Sequence, residues 1–204
     1  MKLKSLIAAA ALLASSAASA TLITNGGFES PNIQSGWTYL ADNSDGWQGD
    51  NIEVWASGFN GVDSFEGTQH GELNAHPYDG SNFSIYQTFD TSASFTYDYS
   101  LAYRARSSSN ESFRLEIFTG DLSNRNHIVN SLFDDHTTSA WSSFASDFTG
   151  TGDTTYFMLT SVNPDTRTVG NFIDAIVVTE VPEPASLVLL GLGLAGLISA
   201  RRRV

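Results

Sequence analysis

Hydrophobic and polar residues alternate along most of the chain between residues 21 and 180, and no run with a helical period of useful length occurs there. In residues 95–104 every second side chain is large and apolar, and the pattern returns at Phe113, Leu115 and Ile117. A period of two predicts β-strands, because successive side chains of a strand point to opposite faces. The predicted strands are residues 52–56, 69–75, 82–89, 95–104, 112–119, 128–133, 142–148, 155–162 and 171–179.

Segments rich in Gly, Asn, Asp and Ser, such as residues 107–110 and 150–153, separate these strands. Short strands with regular turn signals predict an all-β fold, an antiparallel β-sandwich, and roughly ten strands in a domain of this size are typical of a jelly roll. The segment 30–50 is long and irregular and contains Trp37 and Trp47. We expect it to be functional or to pack over one end of the sandwich.

The N-terminal residues depart from the strand pattern. Lys2 and Lys4 precede an apolar run over residues 6–14, and the sequence Ala-Ser-Ala follows at 18–20. This order predicts a secretory signal peptide over residues 1–20, with cleavage before Thr21. Residues 21–180 are then one domain that is large enough to bury a core. Because the chain has no cysteine, burial, hydrogen bonds or a metal must stabilise this domain.

The C-terminal segment 181–204 has three parts: Pro182, Glu183 and Pro184, then an apolar run over residues 185–200, then Arg201, Arg202 and Arg203. As a helix the run would span about 24 Å, slightly less than a hydrocarbon core of about 30 Å. Its three glycines weaken the helix further, and the arginines would stay on the cytoplasmic side. We expect a hydrophobic helix that is held in the membrane temporarily, with an ordinary C-terminal anchor as the alternative.

This order of motif, hydrophobic stretch and basic end resembles the PEP-CTERM sorting signal of bacterial exported proteins. The resemblance implies processing by exosortase, a transpeptidase-like membrane enzyme, with cleavage near Pro182, Glu183 and Pro184. It also implies delivery to the cell surface or the extracellular matrix, where such proteins accompany exopolysaccharide. Extracellular polysaccharide is therefore an expected partner.

Residues 21–180 are strongly acidic, with five arginines, no lysine and 21 Asp and Glu residues, which gives a formal net charge of −16. Such a surface repels nucleic acid and anionic lipid, so we expect no nucleic-acid partner. It suits divalent cations or neutral polymers, and it equally suits solubility in a salty exterior.

Several short motifs resemble those of galactose-binding-like jelly rolls and related carbohydrate-binding modules. They are NGGFE at 25–29 followed by Gly36-Trp37, IEVW at 52–55, EG at 66–67, ELNA at 72–75 and NFIDAIVV at 171–178. The last strand of that family usually carries two acids after the Ile, whereas Ala175 stands at the second position here. The resemblance covers most of residues 21–180 and implies a carbohydrate-binding jelly roll.

The resemblance also implies a structural calcium ion near the first and last strands. Glu29 and Asp174 would be ligands, with Asn25 and neighbouring carbonyl groups supplying further oxygen atoms, because calcium takes six to eight oxygens. The alternative is that Glu29 caps a turn and Asp174 makes a local side-chain hydrogen bond.

The alternation also predicts a polar sheet face, provided that the central strands are neighbours. Aromatic rings stack on sugars, and charged or amide groups bind hydroxyls, so this face is a candidate for sugar binding. Its predicted ligand-binding residues are Glu53, Trp55, Glu72, Asn74, Tyr86, Arg104 and Arg114. The alternatives are a polar face with weak Glu–Arg pairs, a core position for Trp55, and binding at a loop end through Trp37, Trp47, Phe59 and Tyr78.

Catalysis has little support in the sequence. Carboxylate pairs for glycoside cleavage are unavoidable among so many acids, and the four histidines lack a metal-ligand spacing. No Gly-x-Ser-x-Gly elbow, Cys nucleophile or phosphate-binding Gly-rich loop is present. We therefore expect a non-catalytic carbohydrate-binding protein. The alternatives are a structural matrix or biofilm protein without a specific ligand and a polysaccharide-modifying enzyme.

Overall fold

The computed structural model describes residues 20–41, 45–77, 83–165 and 167–182. Within these residues the chain forms eleven β-strands and a short 3-10 turn at Phe59–Gly61. The strands are β1 Trp37–Leu40, β2 Gln48–Gly49, β3 Ile52–Ala56, β4 Gln69–Glu72, β5 Ser84–Asp90, β6 Thr96–Arg104, β7 Ser112–Gly120, β8 Arg125–Phe133, β9 Ser142–Thr149, β10 Thr154–Asn163 and β11 Phe172–Glu180.

The described strands form two sheets in which all neighbours are antiparallel. One sheet has the order β1-β3-β4-β11-β6-β9, and the other has the order β2-β5-β10-β7-β8. The prediction of an antiparallel β-sandwich is thereby confirmed. Thr21–Glu180 forms one compact unit of the chain.

The core lies between the two sheets and follows the alternation of the sequence. In β6 the core contains Tyr97, Tyr99, Leu101 and Tyr103. Thr96, Asp98 and Ser100 point to the other side of the strand and are more exposed. The facing sheet contributes large apolar side chains from three strands, namely Ile85, Phe89, Phe113, Leu115, Ile117, Phe157 and Leu159. Such burial is the main stabilising contribution to a domain without disulfides.

The last strand, β11, contains a bulge between Asp174 and Val177. Ala175 adopts a left-handed backbone conformation with φ of 50°. Ile173 faces the core before the bulge, and Ile176 and Val178 face it afterwards. The extra residue thus shifts the alternation by one position, as bulges do, and it leaves the Asp174 side chain directed away from the core.

The predicted irregular segment 30–50 contains β1 and β2, which are edge strands of the two sheets. The sequence pattern missed both because they have four and two residues. Residues 1–19 of the signal peptide predicted over residues 1–20 lie outside the described residues, as do the sorting residues Glu183, Pro184 and Arg201 to Arg203, whereas Pro182 is exposed. The described part of the chain contains no helix that is long and apolar enough to span a bilayer.

Candidate functional site

The seven predicted sugar-binding residues do not share one face. The six-stranded sheet and its adjoining loop hold Glu53, Trp55, Glu72, Asn74 and Arg104, whereas the five-stranded sheet holds Tyr86 and Arg114. The prediction of a single face is therefore wrong. It assumed that β5 and β7 neighbour β3 and β4, but pairing with β10 places them in the opposite sheet.

The residues of the six-stranded sheet do come together on its outer face. Glu53 lies opposite Glu72, Glu72 opposite Phe172, and Phe172 opposite Arg104, in one row across four strands. Trp55 lies in the adjacent row. However, Glu53, Trp55 and Glu72 are only 3%, 2% and 0% exposed. Loops cover this part of the sheet, so it is not the open polar face that the sequence predicts.

Arg106, which follows β6, contributes most directly to this cover. Its Nη1 donates hydrogen bonds of 2.7 Å to both carboxylate oxygens of Glu72, and its guanidinium group lies 4.5 Å from the ring centre of Trp55. Burial raises the pKa of Glu72 well above its usual value, and the charge of Glu53 acts in the same direction, while Arg106 opposes both. The pairing allows a buried carboxylate to stay in the fold.

Aromatic rings complete the cover over Trp55. Phe172 lies 5.1 Å from Trp55 and 4.7 Å from His70, and Trp141 lies 5.4 Å from His70. Burial, with the positive charge of Arg104, lowers the pKa of His70 to about 4, so the imidazole is neutral at pH 7. Trp55 is thus packed in a second aromatic cluster outside the central core. A sugar ring cannot stack on it without displacing Arg106.

Asn74 and Arg104 are also engaged by the protein itself. The Asn74 amide donates to the carbonyl oxygens of Pro164 and Arg167 at 2.9 and 3.1 Å and accepts from Ser161. Arg104 donates to the Thr138 carbonyl oxygen at 2.5 Å. Both side chains therefore fasten loops to the sheet, and their proposed contact with a ligand stays a prediction.

An open cleft lies at the end of the buried row. Its volume is about 250 Å³, and the residues lining it include Trp37, Glu53, Trp55, Phe59, His76 and Arg106. Trp37 pairs with Trp55 across β1 and β3 and is 44% exposed. We call this space the Trp37 cleft. Two of the aromatic residues suggested for loop-end binding, Trp37 and Phe59, therefore do line one space.

The other two loop residues have different outcomes. Trp47 is buried, stacks on Phe28 at 5.7 Å and donates from its indole nitrogen to the Asn25 carbonyl oxygen. It therefore belongs to the core and is unavailable to a ligand. Tyr78 lies outside the described residues.

The outer face of the five-stranded sheet carries a different aromatic group, which we call the tyrosine face. Tyr86 in β5 and Tyr156 in β10 are half-buried, and their ring centres are 5.7 Å apart. Tyr156 also stacks on the buried Phe118 at 4.8 Å with an interplanar angle of 7°. Phe118 covers one face of the Tyr156 ring and thereby fixes its orientation beside Tyr86.

Charged and amide groups surround these rings. Arg125 and His127 each lie 2.7 Å from a different oxygen of Glu116, and the Arg125 guanidinium lies 5.1 Å from the ring centre of Phe118. Arg114 donates to the Asn130 side chain at 2.6 Å. The structure therefore places Tyr86 and Arg114 on the same face of this sheet, in neighbouring rows, with β10 between their two strands.

The proposed calcium ligands lie around Gly27. A Cβ atom on Gly27 would lie 3.1 Å from Glu66 Oε1, 3.8 Å from Asp174 Oδ1 and 3.9 Å from Glu29 Cγ. Burial raises the pKa of Asp174 to about 7, although hydrogen bonds from the backbone N–H groups of Glu66, Ala175 and Phe65 act in the opposite direction. Carboxylate oxygens are the donors that calcium prefers, so the chemistry of this group fits the ion.

The same carboxylates already hold the chain together. Glu29 accepts hydrogen bonds from the N–H groups of Thr68 and Gln69, and Asp174 accepts from those of Phe65 and Glu66. The Asn25 amide makes two hydrogen bonds to the backbone of Ser30. In the described part of the chain, no group of three or more His, Cys, Asp or Glu residues is arranged to hold a metal. An ion here would need backbone carbonyl groups as additional ligands.

Comparison with known proteins identifies the C-terminal segment and finds solved structures that share the fold of the β-sandwich. One protein-family model matches the chain, and its description is the PEP-CTERM protein-sorting motif. Residues 180–203 are a PEP-CTERM sorting motif. No curated protein resembles the chain significantly in sequence.

Similar solved structures include several carbohydrate-binding modules. The CBM22-1 xylan-binding domain from Paenibacillus barcinonensis Xyn10C has a TM-score of 0.51 at 13% identity, covering 83% of this chain and 100% of that one. TmCBM61, solved with β-1,4-galactotriose, has a TM-score of 0.50 at 13% identity, covering 80% and 100%. The tailspike protein 4 enzymatically active domain of bacteriophage CBA120 has 0.50 and 13%, with 79% and 21% covered. At these identities the likeness shows the jelly-roll fold, which confirms the predicted architecture.

Sequence reasoning missed Arg106, Tyr156 and Phe118 as members of the two surfaces. Tyr156 stands in a predicted strand, at a position that alternates with the core residues Phe157 and Leu159, so the alternation could have found it. Arg106 follows the last residue of a strand, where no periodicity applies. Its role depends on the path of the chain after β6.

Proposed function

We propose that this PEP-CTERM protein is exported and binds extracellular carbohydrate, without catalysis, through the tyrosine face. The observation that carries the proposal is the pair of half-buried rings of Tyr86 and Tyr156, fixed side by side across two strands. Aromatic rings present a flat apolar surface to the apolar face of a pyranose. Two adjacent rings offer contacts to successive units of a chain.

The polar groups around the rings supply the other half of sugar recognition. Asn130 can accept hydrogen bonds from hydroxyl groups, and Arg114 and Arg125 can donate them, while the buried Glu116 holds Arg125 and His127 in place. A neutral polysaccharide carries no charge for this face to repel. A strongly anionic polymer would be repelled by the net charge of −16 on residues 21–180. We therefore propose a neutral glycan as the ligand.

Retention on insoluble polysaccharides and a glycan array test this proposal. Tyr156→Ala should abolish retention, and Tyr86→Ala should weaken it, with thermal unfolding measured to verify that each variant is folded. Tyr156→Phe keeps the ring and should keep retention. Tyr39→Ala is the matched control, because Tyr39 is 48% exposed on the other sheet. Retention that survives Tyr156→Ala would reject this face, and absence of any glycan ligand would favour the structural matrix protein.

We also propose that an exosortase-type enzyme is the processing partner of the C-terminal segment. The support is the sorting motif at residues 180–203. Mass spectrometry of the protein recovered from the cell surface should find a C-terminus near Pro182 to Pro184. Recovery of chains that still contain Arg201 to Arg203 outside the membrane fraction would contradict this proposal.

A structural calcium ion near Gly27 is the remaining proposal about function. Glu29 and Asp174 would be its carboxylate ligands, supported by the carboxylate oxygens of Glu66 and Asp174 and the nearby Glu29 side chain around Gly27. At a free concentration of 100 times the dissociation constant, binding should stabilise the fold by about 2.7 kcal/mol. A chelator should therefore lower the melting temperature, and Asp174→Asn should remove that response. No shift with chelator, together with no metal in the purified protein, would exclude the ion.

A further inference from the structure

We propose that the Trp37 cleft is a second carbohydrate site, which binds one neutral sugar unit at the end of a glycan chain. The cleft lies on the outer face of the six-stranded sheet, whereas the tyrosine face belongs to the five-stranded sheet. The two sites therefore do not share a surface. The cleft would give the protein a contact with chain ends in addition to the contact with chain interiors proposed above.

Trp37 provides the stacking surface that Trp55 cannot. It is 44% exposed, although it pairs directly with the buried Trp55. The His76 ring meets Trp37 edge-on, with centroids 6.3 Å apart and an interplanar angle of 82°. Such a contact places the edge of one ring against the face of the other, so it covers at most one face of the indole. An exposed indole that lines a cleft is the usual stacking partner of a pyranose.

Glu53 and Arg106 provide a matched acceptor and donor in the same space. Glu53 is only 3% exposed, and it accepts one hydrogen bond at each oxygen, from the Trp55 indole N–H and from the backbone N–H group of His76. A carboxylate has about four acceptor positions, so two remain. Arg106 uses Nη1 for Glu72. Its Nε and Nη2 groups have no acceptor among the described residues. The two side chains together can bind two adjacent hydroxyl groups.

Charge and size restrict the ligand further. Glu53 would repel an anionic sugar, and Arg106, which could attract one, is already paired with Glu72. A neutral sugar is therefore favoured over an anionic one. The volume of about 250 Å³ is below the roughly 300–1,000 Å³ typical of sites for drug-sized molecules. The cleft therefore accommodates one sugar unit rather than a length of polymer, and this is the geometry expected for recognition of a chain end.

Saturation-transfer NMR with free glucose, galactose, xylose and N-acetylglucosamine tests the proposal. At least one of these sugars should show transfer with the wild-type protein and equally with Tyr156→Ala, in which the tyrosine face is disabled. Trp37→Ala should remove the signal. Tyr39→Ala, which changes another exposed aromatic residue of the same strand, should retain it. The thermal unfolding of each variant verifies folding.

Three results would overturn the inference: no transfer to any of the four sugars, transfer that persists in Trp37→Ala, or transfer that disappears in Tyr156→Ala. Glucuronic acid tests the charge argument, and it should bind several-fold more weakly than glucose. Stronger binding of glucuronic acid would refute the assigned ligand class. Because this test uses free sugars and Trp37, its failure is distinguishable from a failure of polysaccharide retention through Tyr156.

Discussion

Replacement of Arg106 by Ala tests how the outer face of the six-stranded sheet is stabilised. The substitution leaves the Glu72 carboxylate, which is 0% exposed, with the N–H group of Gly170 as its remaining hydrogen-bond donor. Breaking a buried ion pair by removing one partner costs about 3–5 kcal/mol. The Arg106 side chain is 25% exposed, so solvent already weakens the pair, and we expect about 3 kcal/mol.

In a domain of this size, a loss of 1 kcal/mol lowers the melting temperature by roughly 2–4 °C. Arg106→Ala should therefore lower it by about 6–12 °C at pH 7. Part of this loss is the contact between the guanidinium group and the Trp55 ring, which contributes about 0.5–1 kcal/mol. Denaturant unfolding with fluorescence detection measures the free-energy difference directly.

The pH dependence of this loss distinguishes the ion pair from simple packing. Burial raises the pKa of Glu72 in the folded state, and Arg106 opposes the rise. Without Arg106 the folded protein binds a proton at Glu72 that the unfolded chain does not, so stability falls as the pH rises from about 4.5 through the folded-state pKa. The deficit of Arg106→Ala should thus be largest at neutral pH and smaller at pH 5.

The double variant Arg106→Ala with Glu72→Gln is the control for this argument. It removes the buried charge, so its stability should exceed that of Arg106→Ala at pH 7 and should lack the additional pH dependence. A deficit in Arg106→Ala that is the same at pH 5 and pH 8, or a double variant that is no more stable, would refute the ion-pair explanation and assign the loss to packing on Trp55.

Two further predictions concern the turn after β6 and the edge strand β2. Glu111 accepts backbone hydrogen bonds from Arg106, Ser107 and Asn171. Burial would raise the pKa of Glu111, but these hydrogen bonds outweigh it and lower the pKa. Glu111→Gln should therefore reduce the free energy of unfolding by about 1–3 kcal/mol at pH 7, as measured by denaturant unfolding. The stabilisation from ionised Glu111 is fully present above the pKa of the unfolded chain and is lost as the pH falls through the lowered folded-state pKa. The stability deficit of Glu111→Gln should therefore shrink at low pH, and a deficit that grows there would contradict this explanation. Gly49→Ala should lower the melting temperature by several degrees, because φ is 101° and the new Cβ would lie 2.3 Å from the Ser84 carbonyl oxygen; an unchanged melting temperature would show that β2 relaxes without cost.

The fold was predictable because its determinants are local. The alternation in residues 95–104 specifies which side of β6 is apolar, and the structure places Tyr97, Tyr99, Leu101 and Tyr103 in the core accordingly. The direction of Glu53 and Trp55, away from the core, followed from the same rule. The tail was predictable for a similar reason, since its motif, apolar run and basic end are continuous in sequence.

The division of the site between two sheets was not predictable in this way. Alternation states which side of its own strand Tyr86 occupies, but the neighbours of that strand are set by pairing with β10, about 70 residues further along the chain. Residues that the pattern treats as equivalent, such as Glu72 and Tyr86, consequently face opposite sides of the molecule. The predicted set thus combined parts of two surfaces.

Burial of the predicted face depended on residues that carry no periodic signal. Trp55 and Glu72 have the alternation of solvent-facing residues, and they became buried because Arg106, Phe59 and Trp141 lie in loops that fold over them. A carboxylate on an exposed strand face and one beneath a loop arginine look identical in sequence. The distinction matters for function, because the same loops that remove Trp55 from solvent leave Trp37 at their margin. The sugar contact that we propose for this sheet is therefore at its edge, in the Trp37 cleft, and the centre of the face holds Glu53 and Arg106 in place.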